Sequence, residues 1–314
     1  MERLAPVIAL WGLPPDADIA LINISENRTY KISSNDMPPV ILRQHRRDYH
    51  SKAAIESEMA WLGALQSEAV IAVPKSIAGL DGQLIQEYAD TYFVMFEFIA
   101  GKMPDETSNL EAKFNLLGKI AAKTHLHSLG WQRPKGFTRQ SWTLETVFGP
   151  APIWGRWQDA PNVTSEIRRV LDQTEREIIK RLGAYGQGAD RFGLIHADMR
   201  LANLLIEGVS IRLIDFDDCG FGWFMYDFAA AISFIEISEK IPDLLKAWLS
   251  GYQLVRPLSD ADIGIISTLV MLRRMNLLAW IGSHMEATEP QELAPNFAVD
   301  TAGLAGRYLD GSLL

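Results

Sequence analysis

Between residues 19 and 98 the apolar positions fall in short runs with a period near two, which predicts strands at 19–24, 29–32, 40–43, 75–80, 83–88 and 92–98. Asp81-Gly82 separates two of these runs, and a type I′ turn accepts that pair at low cost because both of its central residues need positive φ. A hairpin is therefore expected there. A single helix, at about 51–65, interrupts the strand series. Beyond Gly101 the spacing lengthens to that of helices, at 107–127, 164–182, 225–236, 242–251 and 260–284. The apolar stretch 7–13 is stopped by Pro14 and Pro15 and reads as a short packed helix. Residues 131–161 carry Trp131, Trp142, Trp154 and Trp157 among Gly and Pro and read as an ordered insertion. The change of period places a boundary near 99–102, giving a β-rich part, 1–99, and a mainly helical part, 100–314.

With 314 residues, 48% of them hydrophobic, the chain can bury a full core. Its formal net charge of −9 argues against a nucleic-acid binder, since neutralising phosphates needs clustered Lys and Arg. Small or cationic partners fit better. Cys219 is the single cysteine, so no internal disulfide forms and a cytoplasmic location is the default. The apolar segment 263–281 is broken by Arg273 and Arg274, which argues against a membrane span. Nothing in the pattern decides between a monomer and a homodimer.

One β-rich island lies inside the helical half, GLIHADMRLANLLIEGVSIRLIDFDD, from Gly193 to Asp218. A strand at 194–196 leads into a polar loop, and 204–206 pairs with 211–214 through a turn at Glu207-Gly208. This gathers Asp198, Asn203 and Asp215 at one edge of a hairpin. Phosphoryl transfer from ATP requires such a group: a carboxylate to orient the attacking hydroxyl, and hard oxygen ligands for Mg²⁺. Taken singly, the same residues are ordinary turn formers. Three at these spacings, in a strand–loop–hairpin context, point to chemistry.

His196-x-Asp198-x4-Asn203 followed by Ile214-Asp215 resembles the catalytic and metal loops of the protein-kinase-like superfamily, in the version found in aminoglycoside phosphotransferases, choline kinases and type II homoserine kinases. The resemblance implies an α+β, bilobal fold, with a nucleotide-binding lobe at 1–99 and a catalytic and acceptor-binding lobe at 100–314. It implies Asp198 as catalytic base and Asn203 and Asp215 as Mg²⁺ ligands, with Asp217 assisting. Arg200 stands where protein kinases carry a Lys that touches the γ-phosphate. Asp227 resembles the carboxylate that braces the loop from below, and His196 is expected to hold the loop.

The N-terminal half bears on the same reading. Alternation along 40–43 puts Ile41 and Arg43 on one face, the first against adenine and the second against phosphate. Arg stands where Lys is usual, and Lys31 is the alternative cation. On the helix that follows, at about 100° per residue, Glu58 falls inside the apolar stripe of Ile55, Met59, Leu62 and Leu65 while Glu56 lies outside it. Glu58 is therefore the expected partner of the cation. The turn around Asn27 has neither a G-x-G-x-x-G nor a Walker A pattern, which favours the aminoglycoside-phosphotransferase branch and a loop that covers phosphates with polar groups. Residues 96–101 resemble the hinge, with backbone near Glu97 and Ile99 meeting adenine.

The function implied is transfer of the γ-phosphoryl group of ATP, with Mg²⁺, to a small-molecule hydroxyl, on an amino alcohol or a hydroxy amino acid. A stress-response type of Ser/Thr protein kinase and an inactive nucleotide-binding scaffold are the alternatives. For the acceptor, Arg273 and Arg274 lie within or beside an apolar stripe on the 260–284 helix, where a cation needs an anionic or carbonyl partner. Two partners are open, a structural acid or an acceptor carboxylate. Trp223, with Phe224, Trp131, Trp154 and Trp157, is either core or a cation–π wall for an amine.

Overall fold

Residues 4–24, 27–35, 37–47, 49–104, 109–207 and 210–314 are described by the computed structural model. Their contacts form two units, one of Met1–Pro104, Gln132–Arg139 and Leu204–Asp217, the other of Asp105–Trp131, Gln140–Asn203 and Asp218–Leu314. Along the chain come α1 (Ala5–Ile8), β1 (Asp18–Ile24), β2 (Arg28–Ser34), β3 (Met37–Gln44), α2 (Lys52–Ser67), β4 (Ser76–Ile77), β5 (Ile85–Tyr88) and β6 (Thr91–Glu97). Then follow α3 (Leu110–Gly130), β7 (Ser141–Trp142), α4 (Leu144–Phe148), α5 (Ser165–Tyr185), β8 (Phe192–Ile195), β9 (Leu204–Glu207), β10 (Ser210–Leu213) and β11 (Gly220–Trp223). The rest is helical: α6 (Tyr226–Ala231), α7 (Ile241–Gln253), α8 (Asp260–Gly264), α9 (Ile266–Ser283) and α10 (Thr288–Asp310).

In the first unit an antiparallel sheet runs β1-β2-β3-β6-β4, with β5 also on β6. Alternation along β3 sends Val40 and Leu42 into a core with Val7, Ile8, Trp11, Ile32, Phe93 and Met95. Ile41 and Arg43 therefore point to the opposite face. Helix α2 starts where the Ser51 hydroxyl accepts the Ala54 amide at 3.2 Å, an N-cap that the sequence places one residue before Lys52. The β9–β10 hairpin joins this unit through Lys102, bridged to Ile206, and through Leu213, whose amide donates to Ala72 O at 3.0 Å.

The expected Asp81-Gly82 hairpin is not formed. Strands β4 and β5 each pair with β6, not with one another, and of the two residues only Gly82 has positive φ, 79°. Asp81 instead accepts the Gln83 amide at 2.9 Å, a local turn that stops the strand expected over 75–80 at Ile77. The two-residue hairpin loop is Ala89-Asp90, with φ of 49° and 58°, between Tyr88 and Thr91. Ala89 is not a usual occupant of that loop and no Gly accompanies Asp90, so the pattern concealed it.

In the second unit α9 is buried on almost every side, so the apolar stripe expected on one face extends round the helix. Residues 260–283 are long and apolar enough to cross a membrane, with a mean hydropathy of 1.3, but 83% of that window is buried inside the protein. Helices α3 and α7 cross so closely that a Cβ on Gly251 would lie 1.8 Å from Asn115 O and one on Gly118 2.1 Å from Trp248 O. The helix expected over 225–236 stops at Ala231, and Phe234 takes a left-handed φ of 73°. Helix α10 is not legible in the sequence because Pro290 and Pro295 interrupt its pattern. Pro290 lies in its first turn, where a missing N–H costs little. The insertion 131–161 is ordered, with Trp142, Trp154 and Trp157 all buried and β7 joined to β11 and β8 in a small sheet.

Candidate active site

Asp198 follows a backbone held in an unfavourable conformation. Ala197 has φ 66°, a region that costs a residue with a Cβ roughly 1–2 kcal/mol. The buried carboxylate of Asp227 stabilises it there, its Oδ1 accepting the Ala197 amide at 2.7 Å and its Oδ2 the His196 amide at 3.3 Å. His125 Nε2 reaches Asp227 Oδ2 at 2.9 Å and its Nδ1 meets the Tyr252 hydroxyl at 2.9 Å, a second support that sequence reasoning missed. The Asp198 amide donates to His196 Nδ1 at 3.2 Å, so that nitrogen carries no proton.

The Asp198 carboxylate is gripped from several sides. Arg273 Nη2 donates to Oδ1 at 2.9 Å, and Arg200 Nε lies 3.3 Å from Oδ1 and 3.4 Å from Oδ2. Asn203 Nδ2 donates both to Oδ2 and to the Asp198 carbonyl, each at 2.8 Å. Burial pushes the Asp198 carboxyl up, but Arg200, Arg273, His196 and the Asn203 hydrogen bond outweigh it and hold the group below the usual carboxylate range. Both Asn203 amide hydrogens go to Asp198, which leaves Oδ1 as the carboxamide atom able to serve a cation.

In the first unit Arg43 and Glu58 form the expected pair, Nη2 to Oε1 at 2.6 Å, while Glu56 is exposed. Lys31 lies 4.3 Å above the Phe98 ring instead. Asp217, expected beside a metal, faces one cation and two imidazoles: Arg43 Nη1 at 3.9 Å, His45 Nδ1 at 3.7 Å and His50 Nε2 at 3.6 Å. Burial raises its pKa, but the His50 hydrogen bond and the Arg43 charge bring it well below the usual range. Such surroundings suit a counter-charge to Arg43 better than a ligand to a dication. Asp215, at φ 61°, adds a negative field at Arg43. Among the described residues no three His, Cys, Asp or Glu side chains make a metal site by themselves. The carboxamide and carboxylate oxygens of Asn203 and Asp215 are, by their chemistry, the kind of hard donor that suits Mg²⁺.

The remaining sequence-predicted positions divide. Asn27 is buried and its Oδ1 accepts the Arg46 amide at 3.1 Å, while Ser25 and Glu26 of the same turn lie outside the described residues. The Glu97 amide is taken by Lys75 O at 2.9 Å, Glu97 Oε1 lies 3.5 Å from Arg212, and Ile99 is buried. Ile41 is half-buried beside Arg43. Trp223 packs in the core, edge-on to Phe192, with its indole N–H given to Gly186 O at 2.7 Å, which removes it from any acceptor wall. Arg274 is likewise committed to Glu236 at 2.7 Å, to Thr301 at 2.9 Å and to the Phe297 ring, 3.4 Å below its guanidinium carbon.

These features converge on one class. The model of a phosphotransferase enzyme family matches residues 18–258, and the chain belongs to that family. The fold is α+β and protein-kinase-like, with an antiparallel sheet and many helices. A solved microcompartment-associated aminopropanol kinase superimposes with a TM-score of 0.91 at 41% identity, covering 99% of this chain and 98% of that one. Amicoumacin kinase of Bacillus subtilis (strain 168) is 24% identical over 296 residues, 87% of this chain and 82% of its own length. A solved amicoumacin kinase, bound to AMP-PNP, Ca²⁺ and Ami, shares the fold with a TM-score of 0.79 at 21% identity, covering 96% of this chain and 92% of that one. The chain is thus a phosphotransferase, and its reaction is ATP-dependent transfer to a hydroxyl of a small molecule.

Proposed function

We propose that the acceptor is a small amino alcohol and that Asp198 orients its hydroxyl for attack on the γ-phosphorus. The observation that carries this choice is the commitment of both α9 arginines, Arg273 to Asp198 and Arg274 to Glu236. Neither is left to hold an acceptor carboxylate. The 41% identical relative, an aminopropanol kinase, supports the same class.

In this reading residues 1–99 bind the nucleotide and 100–314 bind the acceptor and carry the base. The acceptor oxygen bonds to the γ-phosphorus, the bond from that phosphorus to the bridging oxygen breaks and releases ADP, and the hydroxyl proton passes to the Asp198 carboxylate. Asn203 Oδ1 and Asp215 are the oxygens assigned to Mg²⁺, which when bound spreads the charge of the phosphates. Arg43, held by Glu58, is the phosphate-side cation, and Arg200 is a second donor able to follow the transferred group. Asp217 serves Arg43 and drops out of the metal set. Small-molecule chemistry and the acidic charge accord with a cytoplasmic enzyme acting away from nucleic acid and membrane.

The test is Mg²⁺-dependent ATP consumption over matched pairs of amino alcohols and the hydroxy amino acids that give them on decarboxylation. Amino alcohols should be turned over with the higher kcat/KM. A preference for the acids would overturn the acceptor class, and Asp198→Asn with wild-type turnover would overturn the base.

A further inference from the structure

We propose that Arg273 is the positioning residue of Asp198, fixing which carboxylate lone pair meets the acceptor hydroxyl. The inference rests on the reading of Asp198 as the base. Arg273 extends from the buried helix α9, with 3% of its side chain exposed against 14% for Asp198, so only the carboxylate can meet a substrate. Its guanidinium uses two adjacent edges of one rigid plane: Nε donates to Ser233 Oγ at 3.1 Å and Nη2 to Asp198 Oδ1 at 2.9 Å. Asn203 meanwhile holds Oδ2 at 2.8 Å. Held by Arg273 on Oδ1 and by Asn203 and Arg200 on Oδ2, the carboxylate cannot rotate about its Cβ–Cγ bond, and Oδ1 keeps a lone-pair direction open.

Several features tie Arg273 to this task. Among the described residues Asp198 is the only carboxylate within ion-pair distance of it, and its Nη1 is buried without a hydrogen-bond partner. A buried cation with an unused donor depends strongly on the carboxylate it does touch. Its planar face lies 5.3 Å from the Trp154 ring and 5.9 Å from the Tyr226 ring, which fixes the plane of the fork. Ser233 is held by the break in the chain after α6, the stretch in which Phe234 takes a φ of 73°. The helix expected over 225–236 thus ends early at the point where its next residues anchor Arg273. A lysine could reach Asp198 or Ser233 but has no planar fork to bridge them.

The experiment uses the full-length enzyme with saturating Mg²⁺-ATP and its best amino alcohol. Arg273→Met should lower kcat by up to about 10²-fold, the effect of a misplaced catalytic group, while KM for ATP stays within about twofold. Arg273→Lys should recover part of the loss. Ser233→Ala, which leaves Arg273 and Asp198 in place, should lower kcat in the same direction by less. In an Asp198→Asn background Arg273→Met should cost little more, because the group it positions has gone. Wild-type kcat in Arg273→Met, or the same loss in both backgrounds, would overturn the positioning role. Should Arg273→Met fail to fold, Ser233→Ala decides: wild-type kcat there overturns the proposal and a reduced kcat at unchanged KM for ATP supports it. Asp198→Asn with undiminished turnover would instead overturn the reading of the base, and the inference with it.

Discussion

Arg43 and Glu58 meet at 2.6 Å with both side chains shut away from water, one from the middle of β3 and the other from the buried face of α2. Burial depresses the Arg43 pKa, yet Glu58, then Asp217 and Asp215, more than reverse this and raise it above the ordinary arginine value. The cation is permanent and its position is set by a carboxylate that, among the described residues, has no other hydrogen-bond partner, Glu58 Oε2 being unpaired. Arg43→Ala and Glu58→Ala should therefore each reduce kcat/KM for ATP, and a double-mutant cycle should show coupling of about 0.5–3 kcal/mol. Strict additivity would mean the pair is scaffold only.

Arg274 and Glu236 should behave differently. Their ion pair is buried, and burial both raises the Glu236 pKa and lowers that of Arg274, with each partner's charge opposing the shift. Removing one partner strands the other, so Arg274→Met should destabilise the fold by about 3–5 kcal/mol, and adding Glu236→Gln should return much of that. Acceptor preference at a permissive temperature should not change. Urea unfolding of the three variants, with kcat/KM for an amine and its hydroxy acid, checks both halves. A shifted preference at intact stability would return Arg274 to the acceptor site.

The chemistry-bearing stretch was legible because function constrains it locally. Asp198 and Asn203 meet within one loop, and the Arg43–Glu58 pair follows from strand alternation on one side and helical stripe geometry on the other. What the pattern could not supply was tertiary. The family resemblance implies Asp217 as an assistant to the metal ligands, and it could not show that Arg43, His45 and His50 come from another part of the first unit to face it. Arg273 and Arg274 are adjacent in sequence and point to different acids, and no periodicity reveals that Ser233 and Glu236, left outside a helix, would receive them. Asp81-Gly82 carried the stronger turn chemistry, but pairing of β4 and β5 with β6 set the topology and put the hairpin at Ala89-Asp90.

That hairpin predicts a stabilising change. Ala89 and Asp90 both hold positive φ, and a residue with a Cβ in that region carries a cost of roughly 1–2 kcal/mol that Gly avoids and Asn reduces. Ala89→Asn with Asp90→Gly should raise the thermal unfolding midpoint. The Arg47 guanidinium bonds the carbonyl of residue 89, which the change retains. A lowered midpoint would mean that the Asp90 side chain contributes more than the strain it bears.

The last expectation concerns pH and rests on His45, just after β3. The residue is 3% exposed and, among the described residues, neither ring nitrogen makes a hydrogen bond. Burial, and then the nearby Arg43 charge, push the imidazole down to about 3, although Asp217 pulls the other way. An unfolded histidine titrates near about 6.5, so between these values the unfolded chain holds a proton that the folded one refuses. Stability from this group is complete above the unfolded value and is lost as pH falls below it, at up to about 1.4 kcal/mol per pH unit until the folded value is reached. The Asp217 carboxyl is depressed, so its own contribution is lost only below the ordinary carboxylate range and leaves the window from about pH 5 to 6.5 clear. His125, also lowered by burial, contributes equally to any pair of proteins that both carry it. His45→Phe removes the titrating ring without removing a hydrogen bond, and should unfold at a midpoint that falls less than wild type between about pH 7 and pH 5. Thermal melts at both values give the comparison directly. Parallel slopes for the two proteins would show that His45 accepts its proton in the folded state as readily as in the unfolded one.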